Sequence, residues 1–303
     1  HPVAHSFPTR RSSDLEISTA LTGGVGGNPM LAFGLAFMVV GIAFKLRAVP
    51  VHMWLPAVYQ GAPAPVTLLI ASLPKLGYLA LAIRLLADAM GALHDDWQNM
   101  LVVLAALSMV LGNVVAIAQS NIKRMLAYST ISHVGFVLLG ILAASPAGYA
   151  AAMFYTIVYA LMSAAAFAVM ILISADGVEA ERLEDFKGLS KRSPWYALMM
   201  LMVMFSLAGI PVFVGFFAKW QVIAAAIEAG YVWLAVLAVV TAVIGAFYYL
   251  RVVKLMYFDE PESTAPIEAP VDFRAVLTAN GLAMLGLGVF SGGLIGVCVN
   301  AFS

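Results

Sequence analysis

Residues 29–56 read PMLAFGLAFMVVGIAFKLRAVPVHMWLP. The run opens with an apolar stretch free of charge, meets Lys45 while still apolar, and is cut at Pro50. A helix rises about 1.5 Å per residue, so about 20 apolar residues cross a hydrocarbon core of about 30 Å. A segment of that length suits a bilayer. A lysine and a proline inside it suit a working part better than an anchor.

Composition extends this reading to the rest of the chain. Of the 303 residues, 63% are hydrophobic and 11% are charged. That leaves too few polar residues to cover a water-soluble globule of this size. The apolar runs do not alternate with polar residues as barrel strands do. The expected fold is therefore all-α, a polytopic transmembrane helix bundle of about eight spans. These are Pro29–Pro56 (interrupted), Pro65–Leu86, Met100–Gln119, Met125–Ala143, Ala147–Ser174, Pro194–Ile227 (interrupted), Tyr231–Met256 and Phe273–Val299. Residues 29–303 read as one domain. Residues 1–28 lack an apolar period and the basic-then-apolar design of a signal peptide, and read as translated adapter or as a polar lead-in.

The net charge is zero, with no long basic block, which argues against a nucleic-acid partner. A single cysteine, Cys298, excludes an intramolecular disulfide and any cysteine-based metal or iron–sulfur site. No Gly-rich dinucleotide turn or haem-ligand pattern is present. Lys123, Arg124, Arg182, Lys187, Lys191, Arg192, Arg251 and Lys254 fall on one side of the expected bundle. Arg84, Asp88, Asp95 and Asp96 fall on the other. By the positive-inside rule the basic side faces the cytoplasm or matrix.

Within the spans lie Lys45, Lys75 and Lys219, with His52 and His133 at similar depth. A lysine at a helix centre costs about 2.5–3.5 kcal/mol on insertion scales, so such lysines read as functional. A lysine held out of water also changes its protonation readily, as a relay requires. For His133, packing against a hydroxyl and membership of a relay both remain open. His52, between Pro50 and Trp54, reads as structural. Arg84, Lys123 and Arg124 read as helix-end anchors.

Two spans are broken in a matched way, at Ala48-Val49-Pro50-Val51 and at Gly209-Ile210-Pro211-Val212. Proline frees a carbonyl and glycine permits the bend. Paired broken helices point to an inverted-repeat transporter with its site at the midplane. No carboxylate stands at membrane depth beside the lysines. They are then either neutral much of the time or paired with acids on another segment.

The run from Val49 to Pro56 into Val58-Tyr59-Gln60-Gly61-Ala62-Pro63-Ala64-Pro65-Val66-Thr67 resembles the subunit N family of respiratory NADH:quinone oxidoreductase. That family is the bacterial counterpart of subunit 2 of mitochondrial complex I. The stretches Asn121–Gly135, Phe186-Lys187-Gly188-Leu189, Ser206–Lys219 and Tyr248-Tyr249-Leu250-Arg251 are similar to it as well. The resemblance implies a complete subunit of 14 helices with two inverted five-helix repeats, of which this chain would hold about the last eight. It implies that Lys45 is the lysine of the first broken helix, Lys75 the central-axis lysine and Lys219 the lysine of the second broken helix. A glutamate partner for Lys45 would lie upstream. NADH, FMN, iron–sulfur clusters and quinone would sit on partner subunits, with sibling antiporter-like subunits alongside in a bacterial inner membrane. Ala57, Val212 and Ala218 depart from the family pattern. The last two are expected to soften the second break. The other readings are a cation/proton antiporter or membrane-bound hydrogenase subunit, and a truncated scaffold without transport.

Overall fold

The computed structural model describes residues 29–174, 179–261, 267 and 269–302. The lead-in at 1–28 lies outside the described residues, as do parts of the two longer connections, 175–178 and 262–266.

The helices are α1 (Pro29–Leu46), α2 (Trp54–Gly61), α3 (Ala64–Ser72), α4 (Pro74–Ile83), α5 (His94–Ile117), α6 (Ile122–Leu142) and α7 (Pro146–Ile173). They continue as α8 (Pro194–Ala208), α9 (Val214–Glu228), α10 (Val232–Phe258), α11 (Val271–Val289) and α12 (Ser291–Asn300). Starts are set by local chemistry. The side chain of Asn121 accepts from the Arg124 amide, and Ser145, preceding Pro146, accepts from the Gly148 amide. Helix α4 runs on into a π-helical segment, Arg84–Ala89.

Six helices or joined helices are long and apolar enough to cross a membrane, and a seventh follows if α11 and α12 count as one span. The stretch Pro194–Ile227, expected as interrupted, is split at its Gly209–Val212 break into α8 and α9, each of 15 residues and each too short to cross alone. One expected span differs from expectation. The stretch Phe273–Val299 is not straight, because α11 and α12 meet at 81°. Gly292-Gly293 follows that corner, and glycine pairs are a recognised cause of sharp kinks.

Helix α6 is the axis of the bundle, with 94% of its most apolar window buried. It lies along α5 and is also packed by α7, α9 and α2. The closeness of α5 and α6 depends on small residues: a Cβ on Gly112 would lie 2.5 Å from the Ser132 amide nitrogen.

The breaks differ in their backbone. Between α1 and α2, Arg47 holds φ 75, and between α8 and α9 Gly209 holds φ 85 and Val212 φ 81. A non-glycine residue in this region costs about 1–3 kcal/mol and persists only where its surroundings enforce it. Val212, expected to soften the second break, thus holds one of its sharpest backbone turns.

The basic end of the bundle is tied together. Lys123, 1% exposed, donates to the carbonyl of Ala62 (3.1 Å), to Glu181 (2.9 Å) and to Glu179. Glu179 in turn accepts from the Ala64 amide (2.8 Å), and Glu181 from Asn121 Nδ2 (3.0 Å). The connection after α7 is therefore clasped to the α2–α3 junction. Lys123, expected as a helix-end anchor, is the buried centre of this clasp. Burial works against the charge of Glu179. The hydrogen bonds from Lys123 and Ala64, with the lysine's charge, outweigh it and hold the carboxyl below its ordinary value.

Candidate functional site

Lys75 and Lys219 are buried at 7% and 8% exposure, on two helices that both pack against α7. Lys75, at the start of α4, donates to Ser163 Oγ of α7 (3.2 Å) and lies 3.6 Å from the centroid of the Tyr159 ring. Lys219 of α9 is held by the end of the neighbouring half-helix. Its ammonium donates to the carbonyls of Leu207 (2.9 Å) and Ala208 (2.8 Å). Pro211 has no N–H to give the Leu207 carbonyl four residues back, so the broken helix creates the acceptor that the lysine fills. That acceptor also sits at the negative end of the α8 dipole. Gly209 must be small as well as left-handed: a Cβ there would lie 3.0 Å from Lys219 Cδ and Nζ.

Between the lysines stands His133, 3% exposed. Its Nδ1 pairs with Tyr155 OH (2.7 Å) and its Nε2 with Tyr249 OH (3.0 Å). The ring stacks on Tyr159 at 4.2 Å, and the Tyr159 hydroxyl pairs with Thr130 Oγ1 (2.8 Å). Tyr249 OH also meets Ser129 Oγ. A neutral imidazole donates from one nitrogen and accepts at the other, so a ring between two phenols passes a proton by exchanging tautomers. Of the two readings of His133, packing or relay, the geometry is compatible with both. Toward Lys219 the chain of hydrogen bonds stops. The Phe136 ring lies between, 5.5 Å from the lysine ammonium and stacked on Tyr155 at 6.0 Å.

Lys45 is exposed in this chain, with its ammonium 5.8 Å from the Tyr78 ring, and borders the same small cavity of about 20 Å³ as Lys75. Among the described residues no ion pair is made by Lys45, Lys75 or Lys219. Pro50 sits exposed within the first break, and His52 is buried with Nδ1 unpartnered among the described residues.

This arrangement has known counterparts. Residues 12–245 match the family model described as NADH:quinone oxidoreductase/Mrp antiporter, TM. The chain belongs to this family. It is 56% identical over 283 residues to a protein of Thioalkalivibrio sulfidiphilus named NADH-quinone oxidoreductase subunit N, covering 93% of this chain and 59% of that one. A protein of the same name from Thiobacillus denitrificans is 54% identical over 286 residues, covering 94% and 59%. The chain thus spans about three fifths of the length of these relatives. Among solved structures it is similar to a chain of respiratory complex I from Thermus thermophilus with bound aureothin. The TM-score is 0.78 at 34% identity, covering 94% of this chain and 65% of that one. A chain of the Mrp complex from Dietzia shares the fold at TM-score 0.82 and 22% identity, covering 97% and 65%.

Several residues at the centre of this family member escaped the sequence reading. Tyr155, Tyr159 and Tyr249 are all within 4% of full burial and all touch His133. Tyrosine in an apolar run reads as an interfacial anchor, which hides it. Arg47 is the larger omission. It is 2% exposed and borders the Lys75 cavity. The rule that singled out the lysines applies to it equally, since it stands between Lys45 and Pro50 in the first break.

Proposed function

We propose that this chain forms the proton-carrying part of subunit N of a bacterial NADH:quinone oxidoreductase. The observation that carries the reading is the pair of buried lysines, Lys75 and Lys219, flanking a histidine hydrogen-bonded to two tyrosines, with no ion pair to either lysine among the described residues. The names borne by the relatives support the assignment to that subunit.

In this proposal the proton enters near Lys45, whose acidic partner is supplied by an upstream helix. It moves through the shared cavity to Lys75 and on to the hydrogen-bonded His133 and Tyr155, past Tyr159, which stacks on His133 without a hydrogen bond to it. The wire is open there and again at Phe136 before Lys219, so passage at both gaps awaits a bridging water or a rotation of a side chain. Such a break keeps a proton from running back while the driving step is incomplete. Lys219 then releases the proton toward the exit or a neighbouring subunit. Its two carbonyl acceptors position the ammonium. The energy comes from quinone reduction on partner subunits, which carry the NADH site, FMN and iron–sulfur clusters. The protein sits in the inner membrane beside sibling antiporter-like subunits.

The test is Lys75→Met in the full-length subunit, within the assembled complex in inverted membrane vesicles. Fewer protons pumped per electron pair, or loss of coupled turnover, is expected. Unchanged stoichiometry and rate would sink the relay. Sodium-driven proton exchange by vesicles lacking NADH:quinone activity would favour an antiporter instead, the function class suggested by the likeness to the Mrp complex.

A further inference from the structure

Arg47 occupies an unusual place. Its guanidinium donates from Nη1 to Tyr59 OH (2.9 Å) on α2 and from Nη2 to the Ile70 carbonyl (2.8 Å) on α3. That carbonyl is open because the residue four places on is Pro74, which has no N–H. The guanidinium also lies 5.8 Å from the Trp54 and Tyr59 ring centroids. Its Nε is buried with no partner among the described residues. The backbone holds φ 75, a conformation suited to glycine.

Capping one carbonyl does not need a charge. A neutral amide would do it without the desolvation that a buried guanidinium incurs. Arginine, moreover, stays charged at every physiological pH. The same small cavity is bordered by Lys45 and Lys75, so three cationic side chains meet in one apolar pocket.

We propose that Arg47 is a positioning residue of the relay, a fixed positive charge in the wall of the Lys75 cavity that makes a proton on Lys75 easier to pass on. This rests on the relay reading of Lys75 given above. The charge acts across the apolar pocket that both side chains line, where like charges repel far more strongly than in water. Lys75 is also faced by Lys45 from α1, by Tyr159 from α7 and, more distantly, by His133 from α6. Tyr78 stands on its own helix, with Arg84 and Asp88 further along it. Among these, Arg47 is the one cation that is buried and cannot lose its proton. It therefore biases the others in one direction at all times.

The experiment uses the assembled complex carrying the full-length subunit in inverted vesicles, with pumping normalised to the amount of complex. Arg47→Gln keeps a donor for the Ile70 carbonyl and removes the charge. Arg47→Lys loses the planar fork and replaces the fixed charge by one that can be lost. Arg47→Gly removes the charge in a residue that suits φ 75, and serves if the glutamine variant assembles poorly. In the neutral variants the alkaline limit of pumping is expected to rise by about one pH unit or more, the scale of one unit charge about 12 Å away or nearer in a medium of effective dielectric about 20. Arg47→Lys, whose charge is no longer fixed, is expected to shift the limit by no more than Arg47→Gln, and a larger shift in the lysine variant overturns the proposal. A wild-type pH profile in the neutral variants, with lower assembly alone, also overturns the proposal and leaves Arg47 a structural cap. Wild-type pumping by Lys75→Met overturns the relay itself, separately from the result at Arg47.

Discussion

Replacing Gly209 by alanine tests whether the second break is built to hold Lys219. Two costs are separable. Gly209 has φ 85, and an L side chain in that region costs about 1–2 kcal/mol. The new Cβ would also sit 3.0 Å from Lys219 Cδ and Nζ. The lysine is flexible and can give way, but its ammonium is bound to the Leu207 and Ala208 carbonyls, so yielding lengthens at least one of those bonds. A hydrogen bond to a charged group is worth about 1.5–3 kcal/mol. Stability should fall by about 2–4 kcal/mol, and proton delivery by roughly tenfold to a hundredfold if the lost bond is one that positions the ammonium for transfer. Thermal inactivation of the purified complex reads the first effect and pumping per assembled complex reads the second. Gly209→Asn separates them, because asparagine tolerates the left-handed region yet carries the same Cβ. It should recover much of the stability and little of the pumping. Unchanged pumping in Gly209→Ala, or complete recovery of both properties by asparagine, would refute the contact between Gly209 and Lys219 as the reason for glycine here.

Two further outcomes follow from the site and the clasp. Tyr249→Phe removes the hydroxyl shared by His133 and Ser129 while keeping the ring against Tyr248 at 4.3 Å. It should cost about 1 kcal/mol of stability, leave assembly intact and lower the pumping rate at saturating NADH. Glu179 contributes stability that is full above its ordinary value of 4.5 and fades as pH falls through its lower value in the folded protein. The wild-type thermal midpoint should therefore fall more than that of Glu179→Gln when pH is lowered from about 6 to about 3. Parallel curves for the two proteins would exclude Glu179 as part of the acid response.

What could be read in advance divides by physical cause. The bilayer class followed from bulk composition, which any helix arrangement shares. Lys75 and Lys219 were legible because charge at membrane depth is costly, and cost does not depend on knowing the neighbours. The direction in which Lys45 points was not legible. Helix α1 is apolar almost all round, so its sequence carries no face by which to orient the lysine. The corner between α11 and α12 had a signal in Gly292-Gly293, overlooked because the stretch is long enough to span as a straight helix. The tyrosines around His133 come from α7 and α10, and only tertiary packing brings them to one imidazole. Glu179 and Glu181 were visible as loop acids, but their pairing with Lys123 needed the fold.

Among the described residues no acid pairs with the buried lysines, and two prolines, Pro211 of the second break and Pro74 at the start of α4, show how a buried cation is held without one. A buried cation needs an acceptor, and a proline inside a helix supplies one four residues back without any side chain. Pro211 opens the Leu207 carbonyl and Lys219 fills it; Pro74 opens the Ile70 carbonyl and Arg47 fills it. A carbonyl is a weaker partner than a carboxylate, and for a proton carrier that weakness is useful. A lysine paired with a carboxylate is held charged by the full Coulomb attraction, whereas a lysine on carbonyls is held by dipoles and releases its proton at a smaller cost. Lys219 uses the device on a group that titrates, and Arg47 uses it on one that does not. If that contrast is correct, exchanging the two residue types has unequal consequences. Lys219→Arg should keep the carbonyls of the second break occupied and stop proton delivery, while Arg47→Lys should leave delivery running with a charge that is no longer fixed.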